Sequence, residues 1–307
     1  MKRLTIQLVL AALVCTIFSA CGDPQINAAK NEFEPKIVIQ GYLFPEKPVE
    51  IILTRNFALQ ENNPFSVFDL IIENAAATIS DLTENKVYHL SYDPNALSYK
   101  INENELIIDY GKTYRLDVEA EINGKRLSAH STTTVPQQGF AVVESESRLG
   151  VLKYREKDEN GDVKKFEIAY TRSENIEIYI ESILALDAST STFVYDNPFY
   201  DHDTSDVNFF FKELVSRFEW AQNQPKDPLQ EPVISRQEIQ WISLPFYGRY
   251  RAIVYAAERN FKDFFLTHST IQTIDGNFFE PSFHINGDGI GIFGAAIADT
   301  VYFEVSR

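Results

Sequence analysis

Residues 112–133 read KTYRLDVEAEINGKRLSAHSTT, and this stretch decides the fold class. Tyr114, Leu116, Val118, Ala120 and Ile122 alternate with Thr113, Arg115, Asp117, Glu119 and Glu121. A period of two puts the first set on a buried face and the second in water, the pattern of a half-buried strand. Asn123-Gly124 supplies the two positive-φ residues that a tight hairpin turn needs. Lys125 to Thr133 then returns as the partner strand, with Leu127 and Ala129 facing inward.

Working outward, Lys36 to Phe44, Val49 to Arg55, Ala75 to Asp81 and Lys86 to Tyr92 are similar short runs, punctuated by Pro45, Pro48, Pro64 and Asp93-Pro94. About six strands with turn signals between them predict an N-terminal immunoglobulin-like β-sandwich over residues 34–137. The polar stretch Ser131 to Gly139, with Pro136 near its end, marks a boundary. Residues 138–307 then form a second β-rich domain. In it Phe166, Ile168 and Tyr170 alternate with Lys165, Glu167 and Ala169, and Ile176, Ile178 and Ile180 with Glu177, Tyr179 and Glu181. Further strands are expected at Glu238 to Leu244, Tyr250 to Tyr255 and Val301 to Val305, with a polar surface loop at Ala221 to Pro232. One helix is predicted over Glu258 to Ile271, where Phe261, Phe264, Phe265 and His268 fall at helical spacing. Strands and helices do not alternate along the chain, which argues against a parallel α/β fold.

The N-terminus carries an address. Lys2 and Arg3 precede a mostly apolar run, Leu4 to Phe18, and small Ser19-Ala20 precede Cys21. That order is a signal peptide over residues 1–20. The run falls short of the roughly 20 apolar residues that a spanning helix needs, and Gly22-Asp23-Pro24 follows at once. Phe18-Ser19-Ala20-Cys21 resembles a bacterial lipobox, so Cys21 is the expected lipidation site, with residues 21–33 as a lipid-anchored tether. Several acyl chains on one cysteine hold a protein firmly, at about 0.8 kcal/mol per buried methylene, so the membrane is an expected partner. Cys15 lies inside the removed segment, and Cys21 is then the only mature cysteine. No disulfide, cysteine-based zinc site or cysteine nucleophile is available after processing.

Composition narrows the function further. Net charge is -16 over 307 residues, and loss of Lys2 and Arg3 makes it -18. A chain so acidic is repelled by phosphate backbones, and nucleic acid is not an expected partner. The 23 Phe and 15 Tyr suit sheets and their cores.

Motifs for chemistry are weak. Gly289-Ile290-Gly291-Ile292-Phe293-Gly294 spells the dinucleotide-binding fingerprint, but that loop needs a following helix, a second strand and an acidic residue about 20 positions on. The chain ends at Arg307, too soon for these. Close backbone packing or a bulge is the better account of the glycines, and no cofactor is expected. Asp201 to Asp206 gathers Asp201, His202, Asp203 and Asp206, ligand types for a divalent cation, without the central glycine or closing Glu of a calcium loop. It reads as a solvated loop, and Asn286-Gly287-Asp288-Gly289 reads as a turn. His89, His130, His202, His268 and His284 show no paired helical spacing of a zinc hydrolase. No site residue is assigned to catalysis, cofactor or metal.

Lys36-Ile37-Val38-Ile39-Gln40-Gly41-Tyr42-Leu43, Gly111 to Val118, Thr132-Thr133-Thr134-Val135-Pro136, and the closing stretches Asn277 to Pro281 and His284 to Ala295 together resemble a Bacteroidota lipoprotein family, domain of unknown function 4249. The resemblance implies an outer-membrane lipoprotein, often encoded beside a TonB-dependent receptor, with an accessory role in nutrient uptake and no assigned catalytic residues. A non-enzymatic, lipid-anchored accessory or binding protein is the leading expectation. A direct glycan binder using Trp220 or Trp241 is the second, and a hydrolase using carboxylates or the Asp201 to Asp206 loop the third.

Overall fold

The period-two runs of the first half form strands in chain order: β1 (Ile37–Leu43), β2 (Glu50–Arg55), β3 (Ala76–Asp81), β4 (Lys86–Asp93), β5 (Ser98–Lys100), β6 (Thr113–Ile122) and β7 (Lys125–Thr134). The structure, a computed structural model, describes residues 33–57, 66–102, 104–195, 215–221, 234–268 and 281–307. Residues Pro35–Arg307 make one compact unit. The second half adds β8 (Val151–Lys153), β9 (Phe166–Thr171), β10 (Ile178–Ala185), β11 (Ser216–Ala221), β12 (Ile234–Ile239), β13 (Gly248–Ala257), α1 (Arg259–Thr267), β14 (Asn286–Gly287) and β15 (Gly289–Ser306). The chain is mainly β, with α1 its single α-helix among the described residues.

The hairpin forms as predicted: β6 and β7 pair antiparallel from Thr113↔Thr134 to Ile122↔Lys125, turning on Asn123 and Gly124 at φ 54 and 77. β3 pairs with the other edge of β6, and β4 with β3. β4 is shared: Ala77↔Leu90 closes its pairing to β3, and Ser91↔Lys100 opens its pairing to β5. β5 joins β2, and β2 joins β1, so the chain wraps into a sandwich. Ile37, Ile39, Ile51 and Leu53 from one layer meet Ile79, Leu116, Val118 and Leu127 from the other in a single core.

One salt-bridge cluster fixes the start of the hairpin. Lys112 Nζ lies 2.6 Å from Glu84, 2.8 Å from Asp109 and 3.3 Å from buried Asp81. Its hydrogen bonds to Asp109 and Glu84 hold the ammonium well above the ordinary lysine value. The same contact, with help from Lys86, pulls the Glu84 carboxyl down to about 2.

β15 joins the two halves. It runs parallel to β1 from Ile37↔Gly289 to Leu43↔Ala295, then antiparallel to β13 from Ala257↔Ala296 to Gly248↔Val305. β13 pairs β10, and β10 pairs β11. β9 and β12 form a separate two-stranded sheet. Phe166, Ile168 and Tyr170 of β9 pack over Phe303, Val305, Tyr250 and Val254, building the second core. Tyr250 stacks on Phe303 with the ring planes 4° apart, and its hydroxyl donates to the Phe246 carbonyl at 2.7 Å.

Three local readings differ from the structure. The first half of β10 has no wet face: Tyr179 enters the second core, while Ile178 and Ile180 lie under α1. A strand covered on both sides loses the inside-outside alternation, and Glu181 is buried with it at 1% exposure. At Glu238 to Leu244, the strand ends at Ile239 and a 3-10 turn, Trp241–Ser243, follows. Val301 to Val305 is the end of an 18-residue strand whose first part shows no alternation, being covered on both faces.

Helix α1 begins where buried Glu258 caps it, its carboxylate accepting from the amides of Asn260 at 2.8 Å and Phe261 at 3.0 Å. The same carboxylate accepts the amide of Ala295 from β15 at 3.1 Å. Burial pushes the Glu258 carboxyl up, partly opposed by these N–H donors. Phe261 and Phe265 dock on the sheet, as the helical spacing required. Phe264 instead stacks on His268, ring planes 3° apart.

Candidate functional site

The glycine fingerprint is explained first, because it marks where backbones meet. Gly291 sits at φ +107 inside β15, and a Cβ there would overlap the carbonyl oxygen of Ile39 in β1. At Gly289 a Cβ would come within 2.6 Å of Ala129 Cβ, and at Gly294 within 3.0 Å of the Glu258 carboxylate and 3.1 Å of the Phe261 amide nitrogen. The three glycines admit β1, the sandwich and the N-terminus of α1 to one strand. Close packing is what they provide, as their context in the sequence required.

Asn286-Gly287 does more than turn. It pairs with His130 and Ala129 of β7, and Asp288 exchanges hydrogen bonds with Ser128, accepting its amide at 3.2 Å and donating its own amide to the Ser128 carbonyl at 2.7 Å. His284 lies 2.7 Å from Asp263 through Nε2, and its carbonyl accepts from Ser131. These contacts tie α1 and the approach to β15 onto the sandwich. Each of these two histidines is engaged structurally.

A surface concavity of about 610 Å³ opens beside β8 and the β9–β12 pair. Leu149, Leu152 and Val163 form its apolar part. Its carboxylates are largely engaged. Glu238 holds Lys165 at 2.7 Å, Glu167 lies 3.5 Å from Arg236, and Asp158 accepts the amides of Asn160 and Asp162 at 2.9 and 3.0 Å. Lys164 is bound to Glu156. Arg148 points no charge at any partner among the described residues, although its backbone exchanges hydrogen bonds with Glu167. A half-exposed aromatic group borders the site: Trp241 donates its indole N–H to the Lys164 carbonyl at 2.8 Å and meets Tyr154 edge-on at 5.4 Å. Arg307 lies 5.4 Å above the ring of Tyr247. A mixed polar and apolar hollow suits ligand binding.

The residues singled out from sequence are unevenly placed. The signal peptide, the tether to Glu32, Cys21, the Asp201 to Asp206 loop with His202, most of the Ala221 to Pro232 insertion and most of Asn277 to Pro281 lie outside the described residues. Trp220 is described by its backbone alone, opposite Ile180 in the β10–β11 ladder. Among the described residues no three His, Cys, Asp or Glu side chains gather as metal ligands, and no helix is long and apolar enough to cross a membrane. Sequence reasoning missed the concavity, which draws its lining from residues 148–152, 158–167 and 238. Such a grouping leaves no local signal.

Residues 23–299 match the model of a family described as Domain of unknown function (DUF4249). No curated protein matches the chain.

Proposed function

The chain belongs to the family Domain of unknown function (DUF4249), and from that premise we propose that it is a lipid-anchored outer-membrane lipoprotein of Bacteroidota, a non-enzymatic binding protein that assists a TonB-dependent receptor in nutrient uptake. The observation that carries this reading is the N-terminal address, Lys2-Arg3, an apolar run and Phe18-Ser19-Ala20-Cys21. The fold supports it in one respect. β1 begins at Ile37, beside Gly289 at the start of β15, whereas the concavity borders β8, which pairs with Glu304 near the end of that strand. Along a strand at about 3.3 Å per residue, those two points lie up to about 50 Å apart. The hollow therefore borders the opposite end of β15 from the one that pairs with the start of β1.

Two measurements test the reading. Cys21→Ser abolishes labelling by a fatty-acid analogue and releases the protein from membranes; persistent labelling refutes the anchor. Purification through a C-terminal tag from outer membranes in mild detergent brings down a TonB-dependent receptor in near-stoichiometric amount. Recovery of the protein alone refutes the accessory role.

A further inference from the structure

Strands β8, β15, β13 and β10 lie side by side, and their register decides which side chains share a face. Ile183, Ala252, Val254, Val301, Phe303 and Val305 turn into the second core. The residues between them face the other way. On that outer face Arg251 lies between Leu184 and Tyr302, Arg249 lies beside Glu304, and Glu304 lies beside Val151. Leu186 extends the row, its amide donating to the Arg249 carbonyl. Helix α1 covers one end of this face, with Phe261 stacked on Tyr255 and both packed against Ile180 and Ala296. The other end is bare among the described residues: Val151 and Tyr302 are each 62% exposed and Leu186 is 41% exposed.

Two charges on this bare end make no close ion pair among the described residues. Arg249 is satisfied by a bidentate contact to Asp187 at 2.7 and 2.9 Å. Arg251 is half-buried, with its Nε shielded from solvent and without a hydrogen-bond partner. Glu304 lies beside Arg249, which Asp187 already holds, and makes no close ion pair of its own among the described residues. Arg251 and Glu304 sit diagonally on adjacent strands, about 7–8 Å apart at the backbone, and do not pair with each other. An apolar surface with one unpaired cation and one unpaired anion is complementary to itself.

We infer that this face binds the same face of a second copy of the chain across a two-fold axis. Arg251 of each copy then meets Glu304 of the other, and the two Tyr302 rings lie against each other near the axis. Such a contact is isologous, each pairing occurring twice. Tyr and Arg are the residue types that dominate binding energy at interface centres. Four strands span only about 14 Å, so the buried area falls at or below about 1,200 Å², the lower end for specific interfaces. The dimer therefore dissociates on dilution.

The test is sedimentation of the mature, acylated protein in mild detergent over a range of concentrations. A concentration-dependent dimer is expected. Arg251→Glu and Glu304→Arg each weaken it by about tenfold or more, the scale of a lost close charge pair. Combining them restores it to within about threefold, since the swapped charges again face each other. Tyr302→Ala weakens it without moving the melting temperature, which also verifies that each variant is folded. A monomer at every concentration overturns the inference, and would leave the face to a different partner without touching the accessory reading. A dimer indifferent to all four variants, or one that the double swap fails to restore, overturns it equally.

Discussion

Gly291→Ala is the sharpest perturbation that the fold offers. At φ +107 an alanine is strained, and backbone held in such a region costs of order 1–3 kcal/mol. The new Cβ also overlaps the carbonyl oxygen of Ile39 and lies 3.0 Å from both its carbonyl carbon and its nitrogen. These are backbone atoms of a paired strand, so they yield only if the β1–β15 ladder opens. Overpacking of this kind costs typically 1–3 kcal/mol. Together the loss is about 2–6 kcal/mol, against a total stability of roughly 5–15 kcal/mol. For a chain of this size that lowers the melting temperature by roughly 5–20 °C. Gly124→Ala and Gly161→Ala are the controls, at φ +77 and +87 with nothing within 4 Å of a Cβ; they carry the conformational cost alone. Thermal unfolding is followed by far-UV circular dichroism and by the fluorescence of Trp220 and Trp241. If Gly291→Ala melts no lower than Gly161→Ala, the close approach of β1 is not what that glycine serves, and the reasoning fails.

Two further predictions concern charge. Glu258 has its folded value raised by burial above that of the unfolded chain, so the native state retains a proton that the unfolded state releases. The stability it contributes is full below about 4.3, the unfolded value, and is lost as pH rises through the raised folded value. Glu258→Gln removes that slope and sets an amide NH₂ against backbone donors, costing about 1–3 kcal/mol; an unchanged slope in urea titrations at several pH values would show that another group titrates. Asp187 is held down to about 2 by its hydrogen bonds to Arg249, and Glu84 to about 2 by Lys112. For both, the unfolded chain binds the proton first on acidification. Their stability is present above about 4 and is lost as pH falls from there towards about 2. Arg249→Ala and Lys112→Ala should each flatten the decline of the urea midpoint over that window, and a decline as steep as that of the parent protein would refute the assignment.

What the sequence discloses depends on how the element is covered. β6 and β7 are buried on one face and joined by Asn123-Gly124, so period and turn specify them almost to the residue. The first halves of β10 and β15 are covered on both faces, and such an apolar run carries no period to read. The parallel pairing of Ile37 with Gly289 joins the two ends of the described chain. No local pattern encodes a partner so distant, because register between remote strands is set by which faces must be buried together. The concavity was hidden for the same reason.

The letters that imitate a cofactor loop thus mark the element on which the fold turns. Phe293 and Ala295 of β15 belong to the core shared by β1 to β7, Ala296 to the cluster under α1, and Ile297 to Val305 to the second core. A strand that supplies three apolar clusters in succession needs small residues where they change over. Gly291 lets β1 approach before Phe293 enters the first core, and Gly294 admits the capped end of α1 before Ala296. A strain placed at Gly291 is therefore transmitted along one continuous backbone to Phe303 and its stacked partner Tyr250. Fluorescence from the second half and circular dichroism from the whole should consequently report the same transition, for the physical reason that neither core can be completed without this strand.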